Sequence, residues 1–260
     1  MTLRLILTSM ATAARRNTSD RSSVLVNIVF FVVVASVMSA LWRAAAEANG
    51  GEIVGYSVVA VTWYALAAEA ATVSLNMRMI ELVCDDIASG AVATELLRPA
   101  SVLGVRISMA IGAALPRLAV CCAAAAVLGP IVGGAPPRAL GVVLAIPALV
   151  LAIACNLVAQ HAVAAAAFWA RDVRAVWFLY QKIVFVLGGM VLPLQVLPDG
   201  LERTAMLLPF MTMAYVPSRL AAGFIEPELL LLQVAWLGVL LVTAHLVFTA
   251  GERRLQVVGG

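Results

Sequence analysis

Successive runs of about twenty apolar residues, joined by short polar connections, leave this chain one workable solvent, the lipid bilayer. The runs cover residues 23–42, 53–75, 102–132, 140–169, 176–194 and 229–248. A helix rising 1.5 Å per residue needs roughly 20 residues to cross a hydrocarbon core of about 30 Å. Only 12% of the residues are charged and the mean hydropathy is +1.04, whereas a soluble domain is typically about a quarter charged. Six spans consume most of the 260 residues, so no separate soluble domain is expected beside them. The predicted fold is an all-α membrane protein of six transmembrane helices forming one domain over residues 1–260. A net charge of +3, spread along the chain, gives no reason to expect nucleic acid.

The connections carry the next layer of information. Leu3, Ile6, Leu7, Met10, Ala11 and Ala14 recur at helical spacing, so residues 1–22 read as an amphipathic helix lying in the interface. Arg15, Arg16 and Arg21 follow its apolar run where a cleavable signal would carry small residues. The run 102–132 is too long for a straight crossing and is expected to project from the membrane or bend at Pro116. The alanine-dense run 140–169 invites close helix approach. Residues 198–223 carry Pro198, Pro209 and Pro217 between apolar pieces too short to cross, which suits outer re-entrant or interfacial helices. Cys84, Cys121, Cys122 and Cys155 show no C-x-x-C spacing and read as small apolar residues rather than metal ligands.

Arginine placement orients the chain. With the N-terminus inside, only Arg43, Arg138, Arg203 and Arg219 fall outside; every other arginine except Arg117 falls in an inner segment. That bias predicts cytoplasmic termini and puts the polar stretch 76–101 on the cytoplasmic side.

Within that stretch, Ile80, Val83, Cys84 and Ile87 form one apolar stripe, with Glu81, Asp85 and Asp86 largely off it. Ser89 or Gly90 breaks the run. Val92, Leu96 and Leu97 then rebuild an apolar face with Glu95 and Arg98 alongside, and Pro99 ends it. These residues alone allow two readings, an interfacial connector or a docking element for a cytoplasmic partner.

The order Ile87-x-x-Gly90-x-x-x-x-x-Leu96-Leu97-x-Pro99 resembles the signature of ABC-2 type permeases, the membrane subunits of a class of ATP-binding-cassette transporters. Leu41-Trp42, Gly55-Tyr56-Ser57 and Tyr64 are similar to that family's first outer loop and second span. Gly189, Pro193, Pro198, Leu208-Pro209-Phe210, Pro217 and Gly223 are similar to its last outer loop. The resemblance implies that residues 81–98 contain a coupling helix seated in a cleft of a cytoplasmic ATPase subunit. Glu81, Asp85, Asp86, Glu95 and Arg98 would then form rim contacts, and Ile87, Val92 and Leu96 apolar contacts. It further implies an interfacial elbow in 1–22, an outer cap in 198–223, and a dimer with a second permease copy or paralogue. The expected setting is a bacterial cytoplasmic membrane, and the expected task is efflux of a hydrophobic or amphipathic compound such as a drug, antibiotic or xenobiotic.

The chain has no phosphate-binding loop. Its one lysine, Lys182, follows Tyr180-Gln181 and precedes Ile183 with no glycine cradle. No cofactor is therefore expected in this chain; ATP and Mg would be bound by the partner ATPase.

Charged and amide groups inside the spans are the remaining candidates. Glu69 lies about 9 Å from the inner end of its run, and Arg117 about 16 Å beyond Arg106. Those depths allow an ion pair between the second and third runs, with contact to substrate as the alternative. Asn156 and Gln160 share a helix face, with His161 beside them, and are expected to bond between helices or to line a path. His245 reads as a packing residue. Two rival functions are an ion-coupled secondary transporter, which would favour an internal inverted repeat, and an intramembrane enzyme. Neither the repeat nor a clustered catalytic set is found.

Overall fold

The computed structural model describes residues 3–19, 21–75, 79–96, 101–169 and 174–258. Helix α1 (Leu3–Ser19) is followed by α2 (Arg21–Ala48) and a small hairpin, β1 (Glu52–Ile53) and β2 (Tyr56–Ser57). Val54 and Gly55 turn that hairpin with φ of 48° and 83°, the pair of positive angles that suits a two-residue antiparallel turn. Helix α3 (Val58–Ser74) starts where the Ser57 Oγ accepts the Ala60 N–H at 3.2 Å. Two short helices, α4 (Met79–Ala88) and α5 (Ala91–Leu96), precede α6 (Val102–Val132) and α7 (Ala139–Ala164). After a 3-10 turn at Ala165–Phe168 come α8 (Arg174–Leu187), α9 (Asp199–Leu207), α10 (Tyr215–Ala221) and α11 (Pro227–Val258).

Five stretches among the described residues are long and apolar enough to cross a membrane. They are Val24–Ala48, the stretch opening with α3, Val102–Val132, Ala139–Phe168 and Pro227–Arg254. The expected fifth run is different. Its helix, α8, has 14 residues and spans about 21 Å, short of the bilayer core. It ends at Gly188-Gly189, where Gly189 turns left-handed at φ 72°. There the Gly188 carbonyl accepts the Tyr215 N–H at 2.8 Å and the Gly189 carbonyl accepts the Tyr64 hydroxyl at 2.6 Å.

From that point the chain folds back into the bundle rather than away from it. A 3-10 turn at Pro209–Met213 and α10 bury Met211 to Ser218 against α3 and α7. Gln233 of α11 donates to the Thr212 carbonyl at 2.8 Å and the Ala148 carbonyl at 3.1 Å. A non-spanning backbone surrounded by protein keeps its polar groups satisfied, which is what the short apolar pieces between the prolines required.

Small residues set the centre. Ala145, Ala148, Ala152 and Cys155 of α7 are buried, and a side chain at Gly141 would collide with the Leu220 carbonyl. Helix α6 is continuous through Pro116 and Pro130 for 31 residues, about 46 Å, so the excess length of this run is accommodated by a long helix. Its first half carries α1: Gly112 meets the Met10 backbone so closely that no Cβ fits, and Asn17 Nδ2 donates to the Ala113 carbonyl at 2.6 Å.

Candidate functional site

The polar stretch folds as two helices hinged at Gly90, whose φ of +77° an L side chain rarely adopts. Ile80, Val83, Cys84 and Ile87 do share one face of α4, and Val92 joins them from α5. That face looks inward. Ile87 is 6% exposed and Val92 fully buried, in a core shared with Val102, Leu103 and Ile107 of α6, Val158 of α7 and Phe168. The expectation that Ile87 and Val92 offer apolar contact to a partner is therefore corrected. An apolar stripe beside its own bundle is taken up by that bundle, because the burial is gained without an association cost. The Leu96 side chain and Leu97, Arg98 and Pro99 lie outside the described residues.

The charges are also reassigned in part. Arg106, in the second turn of α6, places Nη1 2.8 Å from Asp86 Oδ2 and Nε 2.7 Å from Glu95 Oε2. One guanidinium thus ties α4 and α5 to α6. Asp86 and Glu95, expected as rim contacts only, belong to this internal clasp while keeping partial exposure. The face left to solvent carries Leu82, 46% exposed, with Asp85 and Ser89 one and two turns on, and Thr94 from α5. Glu81 is half-buried at its edge.

Inside the bundle, Gln160 Nε2 donates to Asn156 Oδ1 at 2.7 Å, and the Tyr180 hydroxyl of α8 donates to the same oxygen at 3.1 Å. The expected interhelical bonding by Asn156 is present. The adjoining cavity measures about 20 Å³, room for one water beside Gln160 Oε1, which has no hydrogen-bond partner among the described residues. His161 lies behind this cluster, its Nδ1 2.7 Å from the Leu157 carbonyl.

Glu69 and Arg117 do not pair; among the described residues no ion pair joins them. Arg117 Nη2 instead donates to Asn17 Oδ1 of α1 at 3.2 Å. Equal depth along two helices leaves rotation undefined, and the two side chains take different neighbours.

A second polar cluster lies at the opposite end of the bundle and was not singled out by the sequence. Arg219 of α10 binds Glu226 through Nη2 at 2.6 Å and Nε at 3.1 Å, and donates to the Tyr56 hydroxyl at 3.0 Å. Gln195 bridges the Tyr56 and Tyr215 hydroxyls. The Phe224 ring lies 4.5 Å from the guanidinium carbon. Burial raises the Tyr56 hydroxyl above its ordinary range, and the neighbouring guanidinium only partly offsets this, so Tyr56 stays a neutral donor. The signal available in sequence was Arg219 and Glu226 flanking Gly223, a turn that folds a cation back onto its carboxylate.

A helical bundle of membrane-crossing length, with a two-helix polar segment clasped at one end and a buried outer segment at the other, defines a polytopic membrane protein of the transporter type. The chain belongs to the ABC-2 family of transporter proteins: that family's model, described as ABC-2 family transporter protein, matches residues 32–259. Helix α1 and the first turns of α2 lie outside the match. No curated protein matches the chain.

Proposed function

We propose that this chain is the permease subunit of an ATP-driven exporter of hydrophobic or amphipathic compounds, with both termini in the cytoplasm. The observation that carries this reading is the Arg106 clasp beneath a polar, solvent-facing surface on α4 and α5. A cytoplasmic ATPase, binding ATP and Mg itself, docks on Leu82, Asp85, Ser89 and Thr94, with Glu81 at the edge. Closure of the ATPases on ATP pushes α4–α5. The push reaches α6 through Arg106 and α7 through the buried stripe ending at Ile87 and Val92. Two permease copies then rock against each other and alternate the access of a path between them, so the chain supplies differential access rather than bond chemistry. The outer Arg219 cluster keeps the far end closed until that motion arrives.

The test is reconstitution of the full chain with the ABC ATPase subunit that co-purifies with it. ATP-dependent extrusion of a fluorescent amphiphile from inverted vesicles, lost when the ATPase is omitted, supports the reading. Extrusion driven by an ion gradient without ATP would instead establish a secondary transporter.

A further inference from the structure

Between α1, α2 and α6 lies a cavity of about 200 Å³, ten times the one beside Asn156, walled by Asn17, Thr18, Val24, Asn27, Arg117 and Val120. Its chemistry is that of an anion site. Arg117 is permanently charged, and among the described residues no carboxylate pairs with it. Its Nε is buried with no hydrogen-bond partner, a state that costs free energy until an acceptor arrives. Asn17 is held in place by its bond to the Ala113 carbonyl, beside Pro116, which supplies no backbone donor to that turn. Asn27 and Thr18 add neutral polar groups to the wall.

Depth sets the source of the anion. Trp42 donates its indole N–H to the Val191 carbonyl, and Arg43 binds the Val132 carbonyl, so these residues mark one level at the outer end. From Trp42 back to Val24, α2 falls by about 27 Å, close to the thickness of the hydrocarbon core. The cavity therefore sits where lipid headgroups meet acyl chains, on the side carrying Arg15 and Arg16. Arg117 is about 22 Å from Val132 along α6, within a side-chain length of that boundary. Beside the cavity, α2 exposes Val26, Phe30, Val33 and Val37 along one face leading toward the opposite end.

We infer that this cavity binds the phosphodiester headgroup of a membrane phospholipid, held by Arg117 with Asn17, Asn27 and Thr18, with acyl chains along the exposed face of α2. A guanidinium with amide and hydroxyl groups matches phosphate oxygens, and the apolar face explains why the anion arrives on a lipid. The cavity draws four of its residues from α1 and the first turns of α2, which lie outside the family match, while Arg117 lies within it.

The full chain, delipidated in detergent, is titrated with phosphatidylglycerol, with diacylglycerol of the same chains, and with inorganic phosphate, and bound lipid is counted by native mass spectrometry. One phosphatidylglycerol per chain is expected, with no diacylglycerol bound and no displacement by millimolar phosphate. Arg117→Gln weakens retention at least about tenfold, the loss of one charge-assisted contact set, and Arg117→Lys recovers part of it. Asn27→Leu, which fills the cavity from α2 while leaving Arg117 intact, also weakens retention with an unchanged melting temperature, so a misfolded Arg117 variant does not remove the test. Wild-type retention by both Arg117→Gln and Asn27→Leu overturns the site. Binding of inorganic phosphate that excludes the lipid overturns the lipid as its source. No phosphatidylglycerol retained by the wild type overturns the inference.

Discussion

Arg106 Nε meets Glu95 Oε2 at 2.7 Å, joining α5 to the second turn of α6. The same guanidinium holds Asp86, so two ion pairs tie the polar segment to the helix behind it. On the proposed reading, an ATPase pressing on α4–α5 acts on α6 through these two ion pairs.

Replacing Arg106 tests that path. Arg106→Gln leaves Asp86 and Glu95 without their shared cation, while partial exposure limits the stability loss to about 1 kcal/mol per pair. Transport by the reconstituted complex is expected to fall at least about tenfold while ATP hydrolysis persists, and Arg106→Lys to give an intermediate value. Equal transport by Arg106→Gln and wild type would show that the clasp transmits nothing.

The two faces of α4 should respond oppositely. Ile87→Asn puts an amide among Val158, Ile107 and Phe168 and is expected to cost about 3 kcal/mol or more, read as a lower melting temperature and poor yield. Asp85→Lys on the exposed face leaves stability within about 0.5 kcal/mol and weakens ATPase capture, measured by co-purification. If Ile87→Asn folds normally and loses only the ATPase, the buried assignment of that face is wrong.

Gly90 joins α4 to α5 in a left-handed turn. Gly90→Ala is expected to lower stability by about 1 to 2 kcal/mol and Gly90→Asn by less, because asparagine tolerates that conformation better. Thermal unfolding of the purified chain gives the order directly.

Asn156 distinguishes packing from a substrate path. Asn156→Leu strands Gln160 Nε2 and leaves the Tyr180 hydroxyl only its longer contacts to the backbone carbonyl of residue 156 at 3.4 Å and Met213 Sδ at 3.7 Å, and is expected to destabilise the bundle by about 1 to 3 kcal/mol. Tyr180→Phe, which removes a single donor, costs about 1 kcal/mol. A change in substrate preference at unaltered stability would instead put Asn156 on the path.

At the outer end, Arg219→Met removes the ligand of both Glu226 and Tyr56. Backbone hydrogen exchange over Glu52–Ile53, Tyr56–Ser57 and Leu194–Val196 is expected to rise several-fold while α7 stays protected. Unchanged exchange at those segments would mean that the aromatic contacts alone hold the cap.

Length and hydropathy made the long spans legible, because crossing a bilayer fixes both quantities. They could not locate the early end of α8, which depends on the Gly188 and Gly189 carbonyls being claimed by Tyr215 and Tyr64. The stripe Ile80–Ile87 was visible as a stripe, but amphipathicity names a face and not the neighbour it meets. Arg106 was visible only as one of many inner arginines. Its partners lie 11 and 20 residues earlier on two other helices, so no spacing within one helix points to them. The supposed Glu69–Arg117 pair failed for a related reason: depth is set by residue count, whereas facing is set by rotation of about 100° per residue.

The seat of α1 has a consequence for how the protein is made. Met10 lies against Gly112 and Asn17 bonds to Ala113, so each end of this contact is translated roughly a hundred residues apart. The contact cannot form before α6 has been made, near the midpoint of the chain, so the seating of α1 depends on the helices between them having been inserted in the right sense.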